Sequence, residues 1–351
     1  MDEPRHPVTP VMRAIVYSRP GPSSVLEFTE RDPSQPGPGE VRVRIVVSGV
    51  NPTDWKNRAG SSTIASEAVD SVPNQDGAGV IDAVGDQVTH LRVGDRVWLT
   101  LAAYQRPLGG TAQEFTVTAA DRVFPLPDEA DFDLGASIGV PALTAHRALT
   151  VAEDGPTRLH PQALKGRTVL VAGGAGAVGH AAIQLARWAG ATVIATVSSA
   201  EKAKLATSAG AYHVVDYTTA DAAAQVRAIA PDGVDQVVEV AVSTNQELNL
   251  AVAKPRATIA VYGNDSGAPL TVNTGKTMML NVRYQFGMLY TVGFDVLARG
   301  AEDVNAAIRD GALPIGDAAG LPLHRFPLEQ TAAAHDAVES GVIGKVLIDI
   351  A

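Results

Sequence analysis

No cysteine occurs among the 351 residues of the chain. Disulfides, thiol nucleophiles and thiolate-held zinc are excluded together, and a cytoplasmic location fits. No apolar run approaches the ~18 residues of a membrane span. Nor is any stretch rich in lysine and arginine. The formal net charge of −10 argues against nucleic acid or an anionic membrane as partner. The eight histidines are scattered, with no pair at helical metal-ligand spacing, so no metal is expected. Residues 1–11 lack the apolar core of a signal peptide and read as a flexible extension. Internal repeats and low-complexity tracts are missing too.

What is present is an ordinary globular composition, 46% hydrophobic and 19% charged, in a chain long enough for two domains. Its organising stretch is Thr168–Ala172 followed by Gly173-Gly-Ala-Gly-Ala-Val-Gly179. This reads as a buried β-branched strand, a glycine-rich turn and a helix. Gly174, Gly176 and Gly179 fill the G-x-G-x-x-G frame of a dinucleotide site. The first permits the turn, the second a close approach to pyrophosphate, and the third close helix packing. Free amides at the helix start would hold the phosphates. Val178, Ala182, Ile183, Ala186 and Ala189 give that helix an apolar face, and Gly190 stops it.

Before this stretch, many short strands with glycine and proline punctuation up to Pro127 predict a compact, barrel-like β domain. Within it Asn51 is held extended by Pro52, either to project its amide from a strand end or to bond local backbone. Thr53 or Asp54 is expected to cap the short helix that follows. Asp76, Asp95 and Asp121 read as local turn carboxylates. Residues 135–150 suggest helix, break, helix around Pro141. From there β and α alternate, with strands at 168–172, 192–197, 212–216, 234–240, 257–262 and 283–289. Six strands with intervening helices predict an α/β doubly wound parallel sheet.

In such a sheet the tip of the second strand chooses the coenzyme. A carboxylate there suits the ribose diol of NAD, whereas hydroxyls and cations suit a 2′-phosphate. Here the tip carries Ser198 and Ser199, with Lys202 one turn in and Tyr217 past the third strand. Glu201 is explained as half of a capping box with Ser198. NADPH is therefore expected.

Several segments in order then carry a family resemblance. These are Asn51–Gly60, Asp76–Val80, Gly94–Val97, Gly110–Phe115, Pro141–Ala145, Ala172–Gly179 and Gly344–Ile348. Together they resemble the zinc-free quinone oxidoreductase (ζ-crystallin-like) branch of the medium-chain dehydrogenase/reductase superfamily. The resemblance implies a GroES-like β-rich catalytic domain built from residues 1–141 and 291–351, with a Rossmann domain over 142–290 between them. It implies reduction of quinones or α,β-unsaturated carbonyls by NADPH, commonly in a homodimer. By position, Asn51 and Thr144 would sit beside nicotinamide and substrate. Gly174, Ala175, Gly176, Ala177 and Val178 would hold the pyrophosphate, and Ser199, Lys202 and Tyr217 the 2′-phosphate end. Gly263, Asn264 and Lys345 would line the cofactor cleft.

Zinc-dependent members carry a cysteine near position 50 and Gly-His-Glu near 75. This chain has Gly49-Val-Asn51 and Asn74-Gln-Asp76 there. In the expected reaction an Asn51 amide or the Thr144 hydroxyl stabilises the substrate oxygen. The proton comes from solvent, Lys56 or Tyr104. The alternatives are a 2-enoyl-thioester or polyketide enone reductase and a non-catalytic NADPH-binding protein.

Overall fold

Two sheets carry the chain, and one long helix packs against both. The structure is a computed structural model describing residues 11–61, 70–219, 221–264 and 267–350. The expected extension, apart from residue 11, lies outside the described residues. β1 (Met12–Val16) and β2 (Glu27–Arg31) form a separate antiparallel pair. β3 (Glu40–Val50) leads into α1 (Pro52–Arg58), and β4 (Asp76–Val84), β5 (Arg96–Leu99), β6 (Phe115–Ala119) and β7 (Val123–Pro125) follow. Along β3 the alternation of apolar and charged side chains resolves as expected, with Val41, Val43, Ile45 and Val47 buried.

α2 (Phe132–Leu149) is one helix, not two. Pro141 removes one amide donor. The donor just before it, Val140 N–H, turns sideways to the Asp76 carboxylate at 3.0 and 2.8 Å from its two oxygens. Gly139 makes this approach possible, because a Cβ there would collide with Asp76 Oδ1. Burial of Ala136, Ile138, Ala142, Leu143 and Ala145 supplies the packing that carries the helix through its proline.

The second sheet is built from β8 (Thr168–Ala172), α3 (Ala177–Trp188), β9 (Thr192–Val197), α4 (Ala200–Ser208), β10 (His213–Asp216) and α5 (Ala222–Ile229). β11 (Val234–Glu239), α6 (Val242–Val252), β12 (Ala253–Val261), α7 (Thr274–Leu280) and β13 (Arg283–Phe286) complete it. All six strands are parallel in the order β10-β9-β8-β11-β12-β13. The order reverses direction between β8 and β11, which opens the crevice where such sheets bind ligands. α7 has no buried residue, so no apolar periodicity announced it.

After α8 (Phe294–Arg309) come β14 (Leu323–Pro327), α9 (Thr331–Glu339) and β15 (Lys345–Asp349). They return to the first sheet, whose order is β14-β15-β3-β4-β5-β7 with β6 also on β3. The antiparallel register sets Val346 opposite Val50.

Buried Asp303 ties α8 to α2. Its carboxylate accepts from His146 Nε2 (2.7 Å), Arg158 Nε (2.8 Å) and Leu159 N–H (2.7 Å). Burial alone would raise its pKa, but these donors outweigh that and hold it below 3.8. A depressed carboxyl contributes stability above its unfolded pKa and loses it as pH falls through the folded one. Asp303→Asn is expected to lower Tm by a few degrees at pH 7, on the order of 2–4 °C per kcal/mol. The gap from wild type should close toward pH 3, as thermal unfolding followed by circular dichroism would show.

Candidate active site

Gly173, with φ +68°, makes the turn after β8. The sequence reading gave that task to Gly174. Gly174 instead serves packing, since a Cβ there would lie 2.8 Å from Ala195 Cβ and 3.2 Å from Ile183 Cδ1. Gly176 is the N-cap of α3 and no side chain caps the helix. A Cβ on Gly176 would meet nothing nearer than Gly173 O at 3.5 Å, so its backbone is open to a close ligand. At Gly179 any Cβ would collide with Gly173 O, forcing the helix off the turn. The first-turn amides after Gly176, those of Ala177 and Val178 included, stand at the positive end of α3 and lack intrahelical acceptors. Ala175 is buried beneath them.

At the tip of β9, Ser199 caps α4 by accepting from Lys202 N–H at 3.2 Å. This corrects the expected capping box. Ser199, not Ser198, is the N-cap, and Lys202 holds the third helical position, so Glu201 stays exposed. Lys202 Nζ donates to Ser198 Oγ at 2.9 Å. Tyr217 donates its backbone N–H to Val197 O at 3.1 Å, which sets its half-exposed ring beside the same strand end. Gly263 and Asn264 follow β12, with Gly263 pressed against the Val240 carbonyl and Asn264 exposed. All these residues stand at the carboxyl edge of the parallel sheet.

Asn51 follows β3 directly and is itself the N-cap of α1, extended at φ −122° and ψ 160° as Pro52 requires. Neither Thr53 nor Asp54 holds that position. Asp54 supports it from the third helical position, where its Oδ2 accepts from Asn51 N–H at 2.7 Å. The Asn51 carboxamide is bonded at both ends. Its Oδ1 accepts from Lys345 Nζ at 2.7 Å, and its Nδ2 donates to Asp76 Oδ2 at 2.7 Å. Lys345 Nζ also donates to Val50 O at 3.1 Å. Asp76 further accepts from Thr100 Oγ1 at 2.9 Å and from Val140 N–H. Asn51, Asp54, Asp76 and Lys345 are each 3% exposed or less.

Two expectations change here. Lys345 was expected to line the cofactor cleft, yet its ammonium is buried and directed at Asn51. Asp76 was read as a local turn cap, yet it joins β4, α2, Thr100 and Asn51. No local signal marked either residue, because their partners lie 24 to 294 residues away.

Thr144 lies one turn beyond Val140 on α2. It lines a small cavity with Val151, Val261, Tyr262 and Leu289, so the helix that touches Asp76 also reaches the edge of the parallel sheet. Tyr290, after β13, donates its Oη to Thr53 Oγ1 at 3.1 Å and meets the Tyr104 ring edge-on at 5.1 Å between centroids. Burial, then the charge of Asp54, raises the Tyr290 phenol well above its ordinary range. Lys56 does not join the group, as its ammonium sits 5.7 Å from the centre of the Trp55 ring. Among the described residues, no three of His, Cys, Asp and Glu gather where they could hold a metal ion, and no helix is long and apolar enough to cross a membrane.

Comparison with known proteins agrees with this architecture. Residues 37–128 match the alcohol dehydrogenase GroES-like domain family, and residues 177–304 match the zinc-binding dehydrogenase family. A quinone oxidoreductase of Pseudomonas aeruginosa is 33% identical over 330 residues, covering 92% of this chain and 94% of the relative. A 2-haloacrylate reductase of a Burkholderia species is 32% identical over 333 residues, covering 93% and 94%. The solved structure of Escherichia coli quinone oxidoreductase complexed with NADPH superposes with a TM-score of 0.79 at 26% identity, covering 96% of this chain and 99% of that one. With its two domain matches and near full-length relatives, the chain belongs to the zinc-free quinone oxidoreductase branch of the medium-chain dehydrogenase/reductase superfamily.

Proposed function

We propose that this oxidoreductase uses NADPH to reduce a quinone or an α,β-unsaturated carbonyl compound. The observation that carries the reading is the convergence on α2 of two features: the edge of a dinucleotide-type sheet, reached by Thr144, and the buried polar group around Asn51. The residues at that edge fit the coenzyme. Open Gly176 and the first amides of α3 suit a pyrophosphate, and the Ser199 hydroxyl, the Lys202 ammonium and Tyr217 suit a 2′-phosphate. When bound, NADPH supplies the hydride.

The chain's own part is position and field. As negative charge grows on the substrate oxygen, the Thr144 hydroxyl and the remaining Asn51 N–H are its donors, an effect worth about 2.7–4 kcal/mol for one such donor in a water-excluded site. Of the proton sources, Lys56 has its ammonium on the Trp55 ring and not in the Asn51 group. The similarity to a 2-haloacrylate reductase supports a conjugated C=C as acceptor beside quinones. Edge strand β13, with Phe286 59% exposed, and the exposed Met278 and Met279 of α7 support a homodimer formed along that edge.

The Asn51 group also has a defined charge state. Burial pushes the Asp54 carboxyl up to about 8, aided by the Asp76 charge. Burial also pushes Asp76 up and Lys345 down, while Lys345 and the donors on Asn51, Thr100 and Val140 pull Asp76 back. With all its contacts from donors, Asp76 is the carboxyl of the pair arranged to carry the charge. At neutral pH Asp54 is therefore the neutral acid of the group. Because the folded pKa of Asp54 is raised, its contribution is fully present below pH 3.8 and is lost as pH rises toward about 8.

Four outcomes are expected. In steady-state NADPH oxidation with quinones, alkenals and enoyl thioesters, Asn51→Ala should lower kcat about 100-fold and leave NADPH affinity within about two-fold. Lys202→Ala should in the same assay erode the preference for NADPH over NADH by about ten-fold, roughly 1.4 kcal/mol. Unchanged kcat, or equal use of NADH by the wild type, would refute the respective assignment. Light scattering coupled to gel filtration should give twice the chain mass, and Phe286→Lys should shift it to one. Asp54→Asn, which does not titrate, should gain Tm relative to wild type between pH 5 and 8; a constant difference would contradict the neutral acid.

A further inference from the structure

We propose that Lys345 is a positioning residue: its ammonium sets which end of the Asn51 carboxamide can face a substrate. This rests on the reading that Asn51 donates to the substrate oxygen. A lysine ammonium has donors only and a carboxylate has acceptors only. The atom 2.7 Å from Lys345 Nζ must therefore be the amide oxygen, and the atom 2.7 Å from Asp76 Oδ2 the amide nitrogen. Both bonds are charge-assisted, and rotating the carboxamide by half a turn would break both at once. The only donor the side chain has left is the second N–H of Nδ2, while the oxygen is held inward by the ammonium. Without the ammonium, the amide oxygen loses the partner that keeps it turned inward. It can then present itself to a substrate oxygen, which it repels.

The surroundings are shaped for this arrangement. Lys345 and Asp76 form no ion pair within 4 Å among the described residues, so Asn51 is the link between them. Val50 O takes a second ammonium hydrogen, and the pairing of β15 with β3 brings Lys345 to the strand end that carries Asn51. Gly49 leaves room for the lysine stem, since a Cβ there would lie 3.2 Å from Lys345 Cε and collide with Ala136 O.

The test is a double-mutant cycle on kcat, with NADPH binding followed separately by fluorescence titration. Lys345→Met alone strands Asp76 in the interior, so Lys345→Met/Asp76→Asn, which removes both charges, runs beside it. Both should lower kcat about ten-fold or more while NADPH Kd stays within about two-fold, and Lys345→Arg should recover most of the loss. In the Asn51→Ala background, Lys345→Met should change kcat by less than about two-fold, because its target is gone. If the neutral double variant turns over like wild type, or if the lysine's full loss adds to that of Asn51→Ala, the proposal is overturned and the Asn51 reading survives. If Asn51→Ala alone turns over normally, the Asn51 reading falls and takes this one with it.

Discussion

A fully buried carboxyl group must be surrounded by donors if it is to carry charge, and Asp76 meets that requirement from three directions. Asn51 Nδ2, Thr100 Oγ1 and Val140 N–H come from the end of β3, the residue after β5 and the middle of α2. Removing the carboxylate would orphan all three at once. Buried unsatisfied donors cost about 1–3 kcal/mol each, so the elements that carry them are bound to one arrangement. The direction of α2, and with it the place of Thr144, follows from that condition.

α2 thereby serves both sheets. It packs on β4, α3 and α8, while Asp303 fixes the far end through His146. A rigid rod anchored at two charged points holds Thr144 between them. Tyr290, bonded to Thr53 and packed on Tyr104, adds a contact from beyond β13 back to α1.

Much of this was legible in the residues. The strand-turn-helix at Thr168–Trp188, the parallel sheet and the Ser198–Lys202 tip follow from local rules of periodicity, turn chemistry and capping, which act over a few positions. The errors were local too. A proline normally breaks a helix, but Pro141 does not, because Val140 finds its acceptor 64 residues away. Ser198 and Glu201 matched a capping box, but the neighbouring Ser199 is the N-cap and has a lysine, not an acid, three residues on. The Asn51 network was invisible for a different reason. Its bonds join residues with no periodic relation, and the lysine that completes it sits in an otherwise ordinary strand. Family resemblance located Lys345 without revealing that it faces inward.

The bond between Lys345 and Asn51 spans 294 residues, one of the longest loops the chain closes. Closing it requires β15 to pair with β3 although every strand of the parallel sheet lies between them in the chain. Without that strand, Asn51 would have the carboxyl groups of Asp54 and Asp76 beside it and no ammonium. In chain order the ammonium is thus the last member of the polar centre to be supplied, and a chain ending before residue 345 would keep the glycine turn and the parallel strands yet lack the cation that faces Asn51.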